Sequence, residues 1–210
     1  MRIEERLQEL EEMLLIMAQL VRSMMEQAKD ALMSNKKEQA LFIIESDAHI
    51  NNLELEINET VITTLSLLHP VAKDLRKVIT ALKIANDLER IGDYAKNIAR
   101  YVIKNEHLPE MLREEGEKTF TIFFNNFDMV IQVIKDGNVS LAYQAAEADE
   151  LLDSAFKMIA SKIDEENKIN VPISFATVNL LRNIERAGDH TKNICEHVIY
   201  RVKAQYVDFG

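Results

Sequence analysis

One segment of the chain occurs twice, 96 residues apart, and this repeat constrains the fold more than any other feature. Residues 86–103 align with residues 182–199 without a gap, and nine of the eighteen positions are identical. Both copies contain the pattern E-R-x-G-D-x-x-x-N-I. Chance does not produce such agreement, so the sequence predicts two copies of one structural unit.

Each unit is predicted to be helical. Only 5 Gly and 3 Pro interrupt the 210 residues, and aromatic residues make up 6% of the chain. Apolar residues recur at spacings of three and four, as they do from Leu7 to Ala31, which is typical of helices in a bundle. We therefore expect an all-α fold of six long helices, built as two repeated antiparallel three-helix bundles, with residues 1–105 forming the first and residues 106–210 the second.

Turn signals divide the chain into these six helices. The first three predicted helices run from about 4 to 33, from the turn at 34–36 to 68, and from 72 to 104. The other three predicted helices end at 136, at 164 and at about 203. The polar stretch 165–170 is interpreted as a connection. Pro172 is expected in the first turn of the last helix, where proline is well tolerated.

The charge balance excludes several functions. There are 35 Asp and Glu against 25 Lys and Arg, a net charge of −10, which makes nucleic acid and anionic membranes poor partners. The single Cys195 cannot form an intramolecular disulfide and is expected in the core, which fits a reducing cytoplasm. The N-terminus is charged, and no apolar run approaches the ~20 residues that span a bilayer, so neither a signal peptide nor a membrane span is expected.

Carboxylates in and near the repeat are the candidate functional groups. In each copy a Glu and an Asp are four residues apart, so they share one helix face. Hard metal ions bind several carboxylate oxygens at once, and acids on the preceding helices supply more. Acid pairs at this spacing are about as frequent as chance predicts, so a solvated helix face explains the spacing equally well. The candidate metal ligands are Asp47, Glu89, Asp93, Asp149, Asp153, Glu185 and Asp189.

Two further features favour a metal site. The acids of the third helix fall at the shoulder of its apolar arc, where an unpaired carboxylate is unfavourable. Gly92 and Gly188 lie in helix interiors, at a cost of up to ~1 kcal/mol relative to alanine, and predict a neighbouring backbone close to the carboxylates. Helix crossing alone explains the glycines equally well. Arg90 is expected to face away from the apolar arc and to form a surface ion pair, for instance with Asp87.

The repeated motif, together with the segment H-P-V-A-K-D-L-R at 69–76, closely resembles the PhoU family of bacterial phosphate-transport regulators. The resemblance spans essentially the whole chain. It implies two surface clusters of iron or zinc ions, although Mg or Mn would also suit these ligands. One cluster would use Asp47 with the two acids of the third helix, and the other would use the remaining four acids. Asn51 stands where the family pattern has an aspartate, so the first site should bind fewer or weaker ions unless Glu54 substitutes.

The resemblance also implies a function. It implies a cytoplasmic, homodimeric adaptor that is not an enzyme. Such an adaptor would reach the membrane surface only through its protein partners. The adaptor would link the ATP-binding subunit of the phosphate ABC transporter to a sensor histidine kinase. It would repress the phosphate-starvation response when phosphate is abundant.

Three other functions compete with this interpretation. A carboxylate di-iron enzyme would need a Glu three residues before a His, and no His in the chain has one. A phosphotransfer domain would need an exposed helical His, such as His49 or His190, but no pattern of phosphoryl chemistry accompanies either. A purely structural helical bundle with solvated acidic faces differs from a metal protein only in its metal content.

Overall fold

The computed structural model describes residues 2–105, 108, 110–169 and 175–210, including their side chains except at 111, 164–169 and 175. Within these residues the chain is all-α, as predicted. The described helices are α1 (Ile3–Ser34), α2 (Lys37–Leu68), α3 (Ala72–Lys104), α4 (Glu110–Asp136), α5 (Val139–Ile169) and α6 (Phe175–Lys203).

Most helix ends fall within a residue or two of their predicted places, because residues with left-handed or extended backbones stop the helices there. Asn35 and His69 have φ angles of 49° and 45°, and each ends a helix. The end of α5 is different. The polar stretch 165–170 was expected to be a connection, but α5 continues to Ile169. Glu and Lys are good helix formers, so polarity without Gly or Pro does not end a helix. Pro172 lies outside the described residues.

The six helices pack as two groups of three that lie side by side. Helices α1, α2 and α3 contact one another, as do α4, α5 and α6, and the two groups meet through α3 against α6 and α1 against α4. The repeated segments therefore lie at the centre of the molecule. The arrangement of two repeated bundles is confirmed, whereas a domain boundary between residues 105 and 106 stays a prediction.

The apolar faces form one continuous core across both groups. Phe123 and Phe127 of α4 are fully buried with their rings stacked at 5.6 Å between centroids, and Cys195 is buried as expected. No described helix is long and apolar enough to cross a membrane. The core fixes the α2–α3 and α5–α6 seams, and the candidate carboxylates lie along these two seams.

Candidate metal centre

Three aspartates of the second repeat converge at the seam between α5 and α6. Asp149 and Asp153 come from α5 and Asp189 from α6, and each offers a carboxylate oxygen within 4.8 Å of the others. Within the described part of the chain, they are the only group of three acidic, His or Cys residues with this spacing. The i, i+4 spacing on α5 and the adjacent helix together create the group, since one helix alone supplies too few ligands.

Asp149 is the buried member of this cluster. Its side chain is only 2% exposed, and neither carboxylate oxygen has a hydrogen-bond partner among the described residues. The ammonium group of Lys192 lies 3.4 Å from Asp149 Oδ2, which is an ion-pair distance without hydrogen-bond geometry. A buried carboxylate whose oxygens stay unsatisfied is unfavourable, so this site is short of a positive charge.

Gly188 provides the space that Asp149 occupies. A Cβ atom at Gly188 would stand 2.5 Å from Asp149 Oδ1 and would also overlap Leu152. A close approach is therefore present at this glycine, but the approaching groups are the side chains of Leu152 and of the candidate ligand Asp149 rather than a neighbouring backbone. At Gly92, the equivalent position of the first repeat, a Cβ would stand 3.1 Å from Ile50 Cδ1, a tight contact with the flexible end of one apolar side chain.

The carboxylates of the second cluster disfavour one another's ionisation. Burial, together with the charges of Asp153 and Asp189, raises the pKa of Asp149 to about 6 against the attraction of Lys192. Burial also raises the pKa values of Glu185 and Asp189, and the charge of Asp153 adds to both effects. Glu185 lies close enough to feel these charges but outside the group of three. A bound cation would relieve the repulsion among these groups.

The first repeat solves the same charge problem with a lysine. Lys96 Nζ lies 2.6 Å from Asp47 Oδ2 and 2.5 Å from Asp93 Oδ1, and both contacts are hydrogen bonds. Asn51 also donates to Asp47 Oδ2 at 3.2 Å, so the amide forms a hydrogen bond at a position where the aspartate implied by the resemblance would repel Asp47. Within the described residues, no group of three ligands forms at this seam.

Glu89 lies beside the ion pairs that Lys96 forms with Asp47 and Asp93. Burial raises its pKa, the charges of Asp93 and Glu54 raise it further, and Arg90 and Lys96 oppose the shift. Glu54 is therefore near Glu89, as the predicted substitution requires, although it does not complete a three-ligand group. Whether the first seam binds an ion at all stays a prediction.

The donor set suits a hard metal ion. All the candidate ligands are carboxylate oxygens, which match iron, manganese or magnesium, and zinc also accepts them. The oxygens of Asp149 have no hydrogen-bond partner among the described residues, which is compatible with a cation at the second cluster. In the first cluster, the ammonium group of Lys96 already supplies the positive charge.

Sequence reasoning missed a polar cluster that joins the two bundles. Asp87 of α3 is 7% exposed and accepts hydrogen bonds from two side chains of α6, from His190 Nδ1 at 2.8 Å and from Asn193 Nδ2 at 3.3 Å. His197 Nε2 lies at an ion-pair distance of 3.1 Å from the other carboxylate oxygen of Asp87. Burial disfavours the charged form of Asp87, but its interactions with His190 and His197 outweigh burial and lower its pKa.

The expected surface pair of Arg90 with Asp87 is wrong. Arg90 lies 3.7 Å from Glu89 and 3.6 Å from Asp93, while Asp87 faces the other bundle. A usable signal was present in α6, because positions 190, 193 and 197 follow the i, i+3, i+7 spacing of one helix face. The partner of this polar face is Asp87 of α3, a buried acid that the spacing of apolar residues alone does not identify.

Comparison with known proteins gives consistent matches over nearly the whole chain. A family model for the PhoU domain matches residues 14–102 and 118–198. A phosphate-specific transport system accessory protein PhoU homolog from Clostridium acetobutylicum is 30% identical, covering 99% of this chain and 97% of that protein. A homolog from Thermotoga maritima is 31% identical, with 86% of this chain and 80% of that protein covered.

Solved structures agree with the sequence matches. The crystal structure of PhoU from Pseudomonas aeruginosa superimposes with a TM-score of 0.90 at 28% identity, covering 97% of this chain and 100% of that one. The phosphate transport system regulatory protein PhoU from Streptococcus pneumoniae gives a TM-score of 0.88 at 28% identity, covering 99% of this chain and 100% of that one.

Proposed function

The chain belongs to the PhoU family of phosphate-transport accessory proteins, and from this premise we propose that it is a non-enzymatic, metal-binding regulator of phosphate uptake. One observation carries the metal part of the proposal: Asp149 is buried in a three-aspartate group, and neither of its carboxylate oxygens has a hydrogen-bond partner among the described residues. An ion there supplies the missing positive charge and ties α5 to α6.

The proposed ion is iron or zinc, with iron better matched to ligands that are all oxygen. Asp149, Asp153 and Asp189 would hold it, and Glu185 lies close enough to contribute to a larger cluster. Asp47, Glu89 and Asp93 are proposed as a weaker site, because binding there requires displacement of Lys96.

Elemental analysis of protein purified without chelator tests this proposal. Asp153→Asn/Asp189→Asn should remove most of the bound metal, because it leaves Asp149 as the single carboxylate of the three-aspartate group. Glu89→Gln/Asp93→Asn is the matched variant of the first repeat and should remove little. Metal-free wild type, or equal metal in all three proteins, would refute the assignment of the site.

The regulatory part of the proposal concerns partners. The relatives are named as accessory proteins of phosphate-specific transport. We propose that this chain works in the cytoplasm, as a homodimer, between the ATP-binding subunit of the phosphate ABC transporter and a sensor histidine kinase. It would repress the phosphate-starvation response when phosphate is abundant, and neutralised carboxylates would provide a docking surface of lower charge.

Pull-down of each purified partner by the tagged chain tests the adaptor role separately from the metal. Retention of both the ATP-binding subunit and the kinase supports it, and retention of neither contradicts it. Repeating the experiment with Asp153→Asn/Asp189→Asn shows whether metal is required for docking. Light scattering of the isolated chain at micromolar concentration tests the homodimer, and a monomeric mass would contradict it.

A further inference from the structure

A basic cavity lies at the end of the molecule where α3 begins and where α4 and α6 end. Its volume is about 370 Å³. Four cationic side chains line it and only two acids, although the chain as a whole carries a net charge of −10. Its charged lining residues are Glu11, Lys73, Lys77, Lys135, Asp136 and Arg201.

Arg201 is the buried cation of this cavity. Its side chain is 7% exposed, and the guanidinium donates a hydrogen bond to the Ile134 carbonyl at 3.0 Å, in the last turn of α4. No carboxylate forms an ion pair with Arg201 among the described residues. Burial lowers its pKa, with only the more distant charge of Glu11 opposing the shift. A buried charge without a counter-ion is strongly unfavourable.

Capping of α4 does not explain the site by itself. The carbonyl of Ile134 uses one of the five guanidinium N–H groups, whereas a neutral donor would satisfy that carbonyl without burying a charge. Capping of α4 also does not explain why lysines line the cavity. Lys73 and Lys135 are exposed and form no ion pair with any described residue, and they raise the positive charge around Arg201.

The two acids do not neutralise the cavity. Glu11 accepts a hydrogen bond from Lys77 at 3.1 Å, so its charge is already matched by one lysine. Asp136 accepts a hydrogen bond from Gln132 on the same helix. Four cations against two acids leave an excess of two positive charges around a space that is open to solvent.

We propose that this cavity binds a doubly charged tetrahedral oxyanion of the phosphate type. A guanidinium fork matches two oxygens of such an anion, and lysine ammonium groups neutralise its remaining charge. The two charges of the anion equal the local excess. Gly137, with a φ of 64°, turns the chain at the cavity edge. The site shares no residue with the carboxylate clusters, so it does not depend on the metal proposal.

Calorimetric titration of the full chain with inorganic phosphate tests this site. Dialysis against chelator beforehand removes metal-bound phosphate from the measurement. Lys73→Gln/Lys135→Gln removes two cations that form no ion pair with any described residue, and we expect phosphate affinity to fall at least tenfold, or ~1.4 kcal/mol. Lys36→Gln/Lys37→Gln removes the same charge at the α1–α2 turn and should leave the affinity within about twofold, since distant surface charges are screened by salt.

Arg201→Lys is a second variant, which keeps the positive charge and removes the planar guanidinium that matches two oxygens of the anion. It should weaken phosphate binding, and a thermal melt shows whether it still folds. If it does not fold, the lysine pair still decides the question. Absence of phosphate binding by the wild type at millimolar concentration, or unchanged affinity in Lys73→Gln/Lys135→Gln, would overturn a site for the free ion.

The same chemistry could come from a lipid headgroup, and sedimentation with phosphatidic acid vesicles separates the two sources. Vesicle binding that is lost in Lys73→Gln/Lys135→Gln, without binding of the free ion, assigns the site to a phosphomonoester headgroup. Vesicle binding that survives these substitutions, together with no binding of free phosphate, would overturn the proposal altogether.

Discussion

Asp149→Asn should make the metal-free protein more stable at neutral pH, the reverse of what most substitutions of a buried polar group do. The amide keeps the shape of the side chain and removes its charge. Because the pKa of Asp149 is raised from 3.8 to about 6, keeping this carboxylate ionised costs the folded state about 3 kcal/mol at neutral pH. Removal of the charge should recover about 2 to 3 kcal/mol of this cost.

The sign of the pH dependence follows from linkage. The folded pKa of Asp149 lies above the unfolded value, so the folded chain binds the extra proton between pH 3.8 and about 6. The free energy of unfolding of the wild type should therefore decrease as the pH rises through this interval, and stay lower above it. Asp149→Asn should lack this decrease, and the two proteins should be about equally stable near pH 4.

Urea unfolding in chelator at pH 4 and pH 7.5 measures the effect. Asp47→Asn is the matched variant of the first repeat and should do the opposite, because Asp47 Oδ2 accepts a 2.6 Å hydrogen bond from Lys96. Loss of this charged hydrogen bond should cost about 1.5 to 3 kcal/mol. Destabilisation by Asp149→Asn at pH 7.5 would refute the reasoning, since it would mean that Lys192 already satisfies the carboxylate.

Three further outcomes are expected. Gly188→Ala should be less stable than Gly92→Ala by about 1 to 3 kcal/mol in urea unfolding, because its Cβ would overlap both Leu152 and Asp149, whereas the equivalent atom in the first repeat meets only the side chain of Ile50, at 3.1 Å; equal stabilities would contradict this packing. Asp87→Asn should cost about 2 to 3 kcal/mol by weakening two hydrogen bonds between the bundles, and an unchanged melting temperature would contradict it. Cys195 should not react with a thiol reagent in the folded protein at pH 8, since burial raises its pKa to about 12; rapid native labelling would contradict its burial.

The sequence predicts the helical architecture well because its signals are local. The apolar spacing and the turn residues each act within one helix or one connection, and the motif that recurs after 96 residues also lies within one helix. Prediction fails at the end of α5, where polarity was interpreted as a loop although the residues there favour helix. Local propensity, rather than polarity, decides where a helix continues.

The candidate site is only partly predictable, because ligand spacing on one helix does not determine what the adjacent helix presents. The motif places equivalent carboxylates in both repeats, yet Lys96 forms two short hydrogen bonds in the first seam while Lys192 remains at 3.4 Å in the second. The sequence shows the same lysine in both copies. Asp87 was assigned to the surface because its partners, His190 and His197, lie more than a hundred residues away. Such pairings depend on tertiary packing.

An anomalous difference map from crystals of the iron-loaded protein tests the metal proposal most directly, because it locates the ion rather than counting it. The proposal predicts a peak within bonding distance of the carboxylate oxygens of Asp149, Asp153 and Asp189, and a weaker peak or none between Asp47 and Asp93. A map without a peak at the three aspartates, or with its strongest peak elsewhere, would contradict it.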